Sequence, residues 1–175
     1  MSQAFSFAIA GNDAITEINQ LVNKAYRGPT SKKGWTTEAH FLDGIRTDEE
    51  QLQLMMNDPD SVILTCRQEH QLIGCVFLQK QKSKMYLGML TVDPELQDKG
   101  LGKLLLKKAE EHAVDKGCDT IMITVITKRL ELIDWYKRRG YTETGEVKPF
   151  PDDPKFGLPK EPLSFCVMEK QIDML

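Results

Sequence analysis

Between residues 85 and 116 an apolar run ends in Asp93-Pro94, a short polar turn carries Gly100 and Gly102, and a long amphipathic stretch follows. That order reads as strand, turn and helix N-terminus. A helix that begins so leaves its first backbone N–H groups without intrahelical acceptors, and the macrodipole adds positive potential. The turn therefore suits a diphosphate. Gly100 and Gly102 let the backbone come close, because no Cβ intervenes. Two familiar phosphate loops do not fit. Gly102-Lys103 is followed by Leu104, so no hydroxyl is placed for magnesium. The third glycine of a dinucleotide turn is replaced by Leu105, and repeated strand–helix units are lacking. A glycine turn that merely starts a helix remains the plain alternative.

With 175 residues the chain fits one domain, 1–175, able to bury a sizeable core. Its 41% hydrophobic and 28% charged content is that of a soluble globular protein. A formal net charge of −3, without a dense basic run, argues against nucleic acid as a partner. The apolar runs are too short for a membrane span. Residues 1–7 show no basic segment before an apolar run, so no signal peptide is expected and a cytoplasmic location follows. Cys66, Cys75, Cys118 and Cys166 form no Cys-x-x-Cys pair and read as buried free thiols in a reducing compartment. His40, His70 and His112 have no ligand spacing, so no metal is expected.

Periodicity organises the rest of the chain. Residues 5–10 read as a strand. Asn12 or Asp13 caps a helix reaching Tyr26, with Ile15, Ile18, Leu21, Val22 and Ala25 on one face. A short helix is expected over 37–42, and Thr47-x-x-Glu50 is a capping box for the next one. Residues 61–67, 72–79 and 85–92 form a strand meander. The helix over 100–116 turns Leu101, Leu104, Leu105, Ala109 and Ala113 to the core, and Gly117 caps it. A β-branched strand over 120–126, a helix over 129–138 and strands over 141–147 and 163–170 complete the chain. Five of the eight prolines fall between the last two strands, which reads as irregular structure. That connection is either a functional lid or a solvated excursion.

Gln97-x-x-Gly100-x-Gly102 resembles the Gln/Arg-x-x-Gly-x-Gly/Ala signature of the GNAT superfamily of acetyl-coenzyme A-dependent N-acetyltransferases. Trp135-Tyr136-Lys137-Arg138-Arg139-Gly140-Tyr141 resembles the family's aromatic-Tyr-x-x-x-Gly-Phe/Tyr segment, at the expected distance. The element order matches over nearly the whole chain. The resemblance implies an α/β (α+β) GNAT acyltransferase fold, a single mixed central sheet with a splayed strand pair and helices on both faces. It implies that the backbone of Leu90, Thr91 and Val92 lies at a bulge, binding the pantetheine arm and polarising the thioester carbonyl. It further implies that N–H groups from Gln97, Asp98, Lys99, Gly100, Leu101, Gly102 and Lys103 hold the pyrophosphate. Tyr136 would protonate the leaving thiolate; its alternative role is core packing. Many members carry Asn where this chain has Arg129, which makes Arg129 a candidate phosphate contact. Residues 84–90 contain no acid, so the general base stays open.

By the same resemblance the acceptor side includes Tyr26, Arg27, Trp35, Thr36 and Glu38, a segment similar to a subgroup with Tyr-Arg-Gly and Gly-Trp-Thr-x-Glu. Glu38 can pair with an ammonium or remove its proton, and Trp35 can stack on the acceptor. Helix capping for Thr36 and Glu38, and core packing for Trp35, are the alternatives. Phe150 is a candidate lid residue. The expected reaction is direct attack of a primary amine, from a small molecule or a peptide or protein, on acetyl-coenzyme A as cosubstrate. No cysteine lies in either motif, which argues against an acetyl-cysteine intermediate. A non-catalytic acyl-coenzyme A binding or sensing module is the alternative. A homodimer paired through the late strands is compatible with such a fold.

Overall fold

A computed structural model describes residues 4–27, 37–39, 42–151 and 158–172; the side chains of residues 42, 43, 97–99 and 158 are left out of account. The chain runs through β1 (Ser6–Ile9), a 3-10 turn (Asn12–Ala14), α1 (Ile15–Tyr26), β2 (Leu42–Asp43) and α2 (Glu49–Asn57). Next come β3 (Ser61–Gln68), β4 (Gln71–Gln81), β5 (Lys84–Val92) and a 3-10 turn (Pro94–Lys99). The second half holds α3 (Leu101–Asp115), β6 (Thr120–Ile126), α4 (Leu130–Lys137), β7 (Thr142–Pro149), β8 (Leu158–Pro159) and β9 (Ser164–Gln171).

Seven strands form one sheet in the order β1-β3-β4-β5-β6-β9-β7. Every neighbouring pair is antiparallel except β5–β6, which is parallel. Helices cover both faces. Ile18, Val22 and Leu52 of α1 and α2 pack with Ile63, Phe77 and Met89 on one side. Leu101, Leu105 and Ala109 of α3 pack with Ile133 and Tyr136 of α4 and with Val76, Leu87 and Ile121 on the other. All four cysteines are buried free thiols. Burial pushes Cys66 up to about 11 and Cys75 up to about 12, so neither is a thiolate near neutrality.

Several local expectations are corrected. The segment over 37–42 is not helical where described. The Glu38 N–H donates to the Tyr26 carbonyl, and β2 pairs with β8, so these backbone groups find distant partners instead of a helix. The cap of α2 is Asp48, whose carboxylate accepts from the Gln51 N–H at 2.8 Å; Thr47 is one residue too early. The 3-10 turn before α1 lacks a side-chain cap. On α3 it is Leu106 that is fully buried, while Leu104 is only half-buried. The proline-rich connection is not wholly irregular, because it contains β8.

Gly74 on β4 sets how closely α3 approaches the sheet. A Cβ there would lie 2.7 Å from Leu105 Cδ1 and 3.1 Å from the Thr91 carbonyl oxygen. Leu105 is completely buried and has nowhere to move. Replacing Gly74 with Val is expected to destabilise the protein by about 1–3 kcal/mol through overpacking. The midpoint of urea unfolding, followed by circular dichroism, measures this; an unchanged midpoint would contradict the close approach.

Candidate active site

The parallel β5–β6 pairing covers only Lys84 to Tyr86 against Thr120 to Met122. Beyond it β5 stays with β4, and β6 stays with β9 as far as Ile126. A cavity of about 470 Å³ opens in the cleft, with Leu87 to Leu90 on one wall and Ile123 to Ile126 on the other. The β4–β5 register shifts here, between Cys75 and Phe77, and Met89 adopts φ +55°. Such a bulge places two residues opposite one and turns the strand. Met89 consequently packs under α1, whereas Leu87, Leu90 and Val92 face α3.

The bulge is centred on Met89 and Leu90. Thr91 and Val92 have rejoined the ladder, opposite Cys75 and Gly74. Two carbonyls at the bulge are already engaged. Tyr26 Oη donates to the Leu90 oxygen at 2.7 Å, and Thr91 Oγ1 donates to the Met89 oxygen at 2.8 Å. Of the stretch from Leu90 to Val92, the Leu90 carbonyl thus already accepts one side-chain hydrogen bond.

Four elements bring side chains to the cavity. Tyr26 ends α1, and burial pushes its hydroxyl up to about 12. Arg27, next in sequence, clasps Glu38: its Nη2 and Nε donate to Oε1 at 2.7 and 3.1 Å. The same guanidinium donates to the Ile45 carbonyl at 3.2 Å, stapling this loop to α1. Glu38 is thus a buried, paired carboxylate rather than an unpartnered base. Tyr136 comes from α4 and is buried edge-on between Trp135 and Tyr141, at ring distances of 5.0 and 5.4 Å. Burial, reinforced by the neighbouring Tyr26, holds its hydroxyl well above the ordinary tyrosine range. It stays protonated at any physiological pH. Arg129 precedes α4 and lines the same cavity, so its place is beside the tyrosines. Phe150 and Pro151 close one side, Phe150 stacked on Phe165 at 5.2 Å. Trp35 and Thr36 lie outside the described residues. Arg46, Gln51 and Tyr86 also line the cavity and were passed over in the sequence.

The Gly100 turn joins β5 to α3. Gln97, Asp98 and Lys99 belong to a 3-10 turn, and Gly100 follows with φ +77° and ψ 13°. Such a φ favours glycine, and space is open where its Cβ would stand. The first N–H to close the helix is that of Leu104, onto the Gly100 carbonyl at 3.1 Å. The N–H groups of Leu101, Gly102 and Lys103 precede it and have no acceptor within the helix. The Leu101 side chain itself is core. Gly100 also borders a groove with Lys103, Lys107, Arg138 and Arg139, the last stacked on the Trp135 ring at 3.8 Å, and with Lys170, which is paired to Glu110. Clustered cations beside a helix N-terminus fit the phosphates of a nucleotide.

The acetyltransferase (GNAT) family model matches residues 16–141, and the chain belongs to that family. Among relatives, N-alpha-acetyltransferase 30 of Dictyostelium discoideum is 30% identical over 76 residues, 41% of each chain. The thialysine N-epsilon-acetyltransferase of Sus scrofa is 33% identical over 64 residues, 37% of this chain and 38% of its own. The chain thus spans about two-fifths of the length of these curated relatives. The fold is that of solved N-acetyltransferases. The ribosomal-protein-S18-alanine N-acetyltransferase of Escherichia coli superposes with TM-score 0.74 at 14% identity, covering 98% of this chain and 96% of its own. PaiA N-acetyltransferase of Thermoplasma acidophilum, solved in complex with coenzyme A, gives 0.69 at 18% identity, covering 96% and 99%.

Tyr26 supplies a test of this packing. Its unfolded value is about 10, and its folded value is raised to about 12. The folded protein holds the proton longer, so stability is full below about pH 10 and falls as pH rises towards 12. The melting temperature of the wild type is expected to drop more steeply over that interval than that of Tyr26→Phe. Equal slopes would show that Tyr26 is not protonated by burial.

Proposed function

We propose that this protein moves an acetyl group from acetyl-coenzyme A to a primary amine by direct attack. The observation that carries the reading is the cavity between the parted strands, with the Met89–Leu90 bulge on its wall and the buried Tyr136 on α4 beside it. The Gly100 turn and its basic groove are assigned the coenzyme's phosphates. The backbone at the bulge is assigned the pantetheine arm and the thioester carbonyl.

In this reaction the amine nitrogen bonds to the acetyl carbon, and the carbon–sulfur bond breaks. Sulfur leaves as a thiolate and takes its proton from the Tyr136 hydroxyl. The proton lost by nitrogen passes to solvent, from which Tyr136 is reprotonated. An alkylamine has a reference pKa of about 10.4 and attacks only when neutral. Among the described residues Arg27, Arg46 and Arg129 line the cavity with one carboxylate, Glu38, which Arg27 holds. Positive surroundings disfavour the ammonium form, and burial adds to this. The site therefore works towards a neutral amine without an acid on β5. Raised thiols at Cys66 and Cys75 fit direct transfer better than an acetyl-cysteine.

The second reading is a non-catalytic acyl-coenzyme A sensor. It is favoured by the pairing of Glu38 with Arg27, which leaves the cavity without an unpartnered carboxylate among the described residues.

Calorimetry with acetyl-coenzyme A, run beside an assay of thiol release with an amine panel, separates the two. Tyr136→Phe is expected to lower turnover about 100-fold or more while leaving coenzyme affinity nearly intact. Full turnover by this variant would remove Tyr136 from the reaction. Gly100→Val forces a β-branched residue into positive φ, a strain of about 1–3 kcal/mol, and fills space the phosphates need. Acetyl-coenzyme A affinity is expected to fall at least about tenfold. Undiminished affinity in a folded Gly100→Val sample would displace the phosphates from this turn.

A further inference from the structure

Arg46 stands where the cavity meets a second lobe. This lobe of about 460 Å³ adjoins the first, and Arg46, Gln51, Tyr86, Gly88 and Met89 line both. The Arg46 N–H donates to Asn23 Oδ1 at 2.7 Å, which anchors the residue to α1. Its guanidinium lies over the Tyr26 ring, 5.3 Å from the centroid. Among the described residues no carboxylate stands within ion-pair distance of it. The carboxylates of the two lobes are otherwise committed. Glu38 is held by Arg27. Asp58 accepts from the Asp60 N–H at 2.9 Å and from Gln79 Nε2 at 2.8 Å, and these bonds hold it below the usual carboxylate range.

A half-buried guanidinium facing a cavity, with no carboxylate beside it, is a receptor for an oxyanion. Its planar fork matches carboxylate and phosphate oxygens two at a time. Arg46 is also placed at a defined remove from the chemistry. Its charge sits on one face of the Tyr26 ring, and the hydroxyl of that ring ends on the Leu90 carbonyl at the bulge. One tyrosine ring therefore separates the cation from the thioester position. We infer that the acceptor is a compact amine that also carries an oxyanion, carboxylate or phosphate, and that Arg46 binds this group and determines specificity. The inference rests on the transferase reading. A polyamine, cationic at its far end, would meet Arg46 as a like charge and be rejected.

The test is steady-state acetylation by the full chain of matched pairs. L-amino acids are compared with their carboxamides, and phosphoethanolamine with ethanolamine; spermidine is the cationic control. At least one anion-bearing amine is expected to exceed its neutral partner in kcat/KM by about ten- to a hundredfold, mainly through KM, as a charged hydrogen-bonded contact implies. The two kinds of pair show whether carboxylate or phosphate is the group held. Arg46→Gln is expected to bring that ratio close to one, and Arg46→Lys to restore much of it. Three results overturn the inference: preference for spermidine or a neutral partner, a ratio unaltered in Arg46→Gln, or thioester hydrolysis with no anion-bearing amine accepted. In the first two, acetyl-coenzyme A is still used and the transferase reading is untouched; in the third, that reading stands if ethanolamine, a carboxamide or spermidine is acetylated and falls if none is. Absence of acetyl-coenzyme A binding by the folded wild type overturns both.

Discussion

Backbone hydrogen bonding between β5 and β6 stops after three residue pairs, and the site is assembled from what that interruption leaves exposed. Each strand keeps its other neighbour, so neither unravels. The two faces of the sheet hold the halves apart, α1 and α2 packing against one and α3 and α4 against the other. Polar backbone groups at such an opening need partners in place of the missing ladder. Tyr26 and Thr91 supply two of them with their hydroxyls, at Leu90 and Met89. What they leave is a cleft with a backbone wall and a lining of apolar and charged side chains.

Charge in that cleft follows from burial. Tyr26 and Tyr136 are kept protonated because their anions would be poorly solvated there. The same low polarity makes each arginine count for more than it would at the surface. Arg27 spends its charge on Glu38 and on the loop that carries it, a structural duty. Arg46 has no such partner among the described residues, and its charge is directed at whatever enters. That unpaired charge is the basis of the proposed acceptor, a neutral amine with an anionic group elsewhere on the same molecule.

The architecture was largely legible because its signals are local. The strand meander, the long helix with Gly117 at its end, and the Gly100 turn each follow from periodicity or from a glycine requirement within a few residues. The errors share one cause. Asp48 caps α2 where Thr47 was expected, because the choice depends on where the chain enters the helix. Leu106 displaces Leu104 from the core because the sheet lies slightly around the helix from the ideal stripe. The stretch over 37–42 has helix-compatible residues but gives its backbone bonds to Tyr26 and, through β2, to β8. Arg46 and Tyr86 carried no pattern at all. An arginine before a helix cap and a tyrosine on a strand acquire meaning only when three elements meet.

By itself the sequence determined the order of elements and the glycine turn that starts α3, since these depend on contacts within a turn or a repeat. Only the tertiary structure decided where β5 leaves β6, which backbone oxygens are taken, and which cations remain unpaired. The bulge at Met89 shows why. One extra residue reverses the inward and outward alternation of the strand, and nothing in the run from Lys84 to Val92 marks that residue, because the shift is set by packing of α1 and α3 on opposite faces.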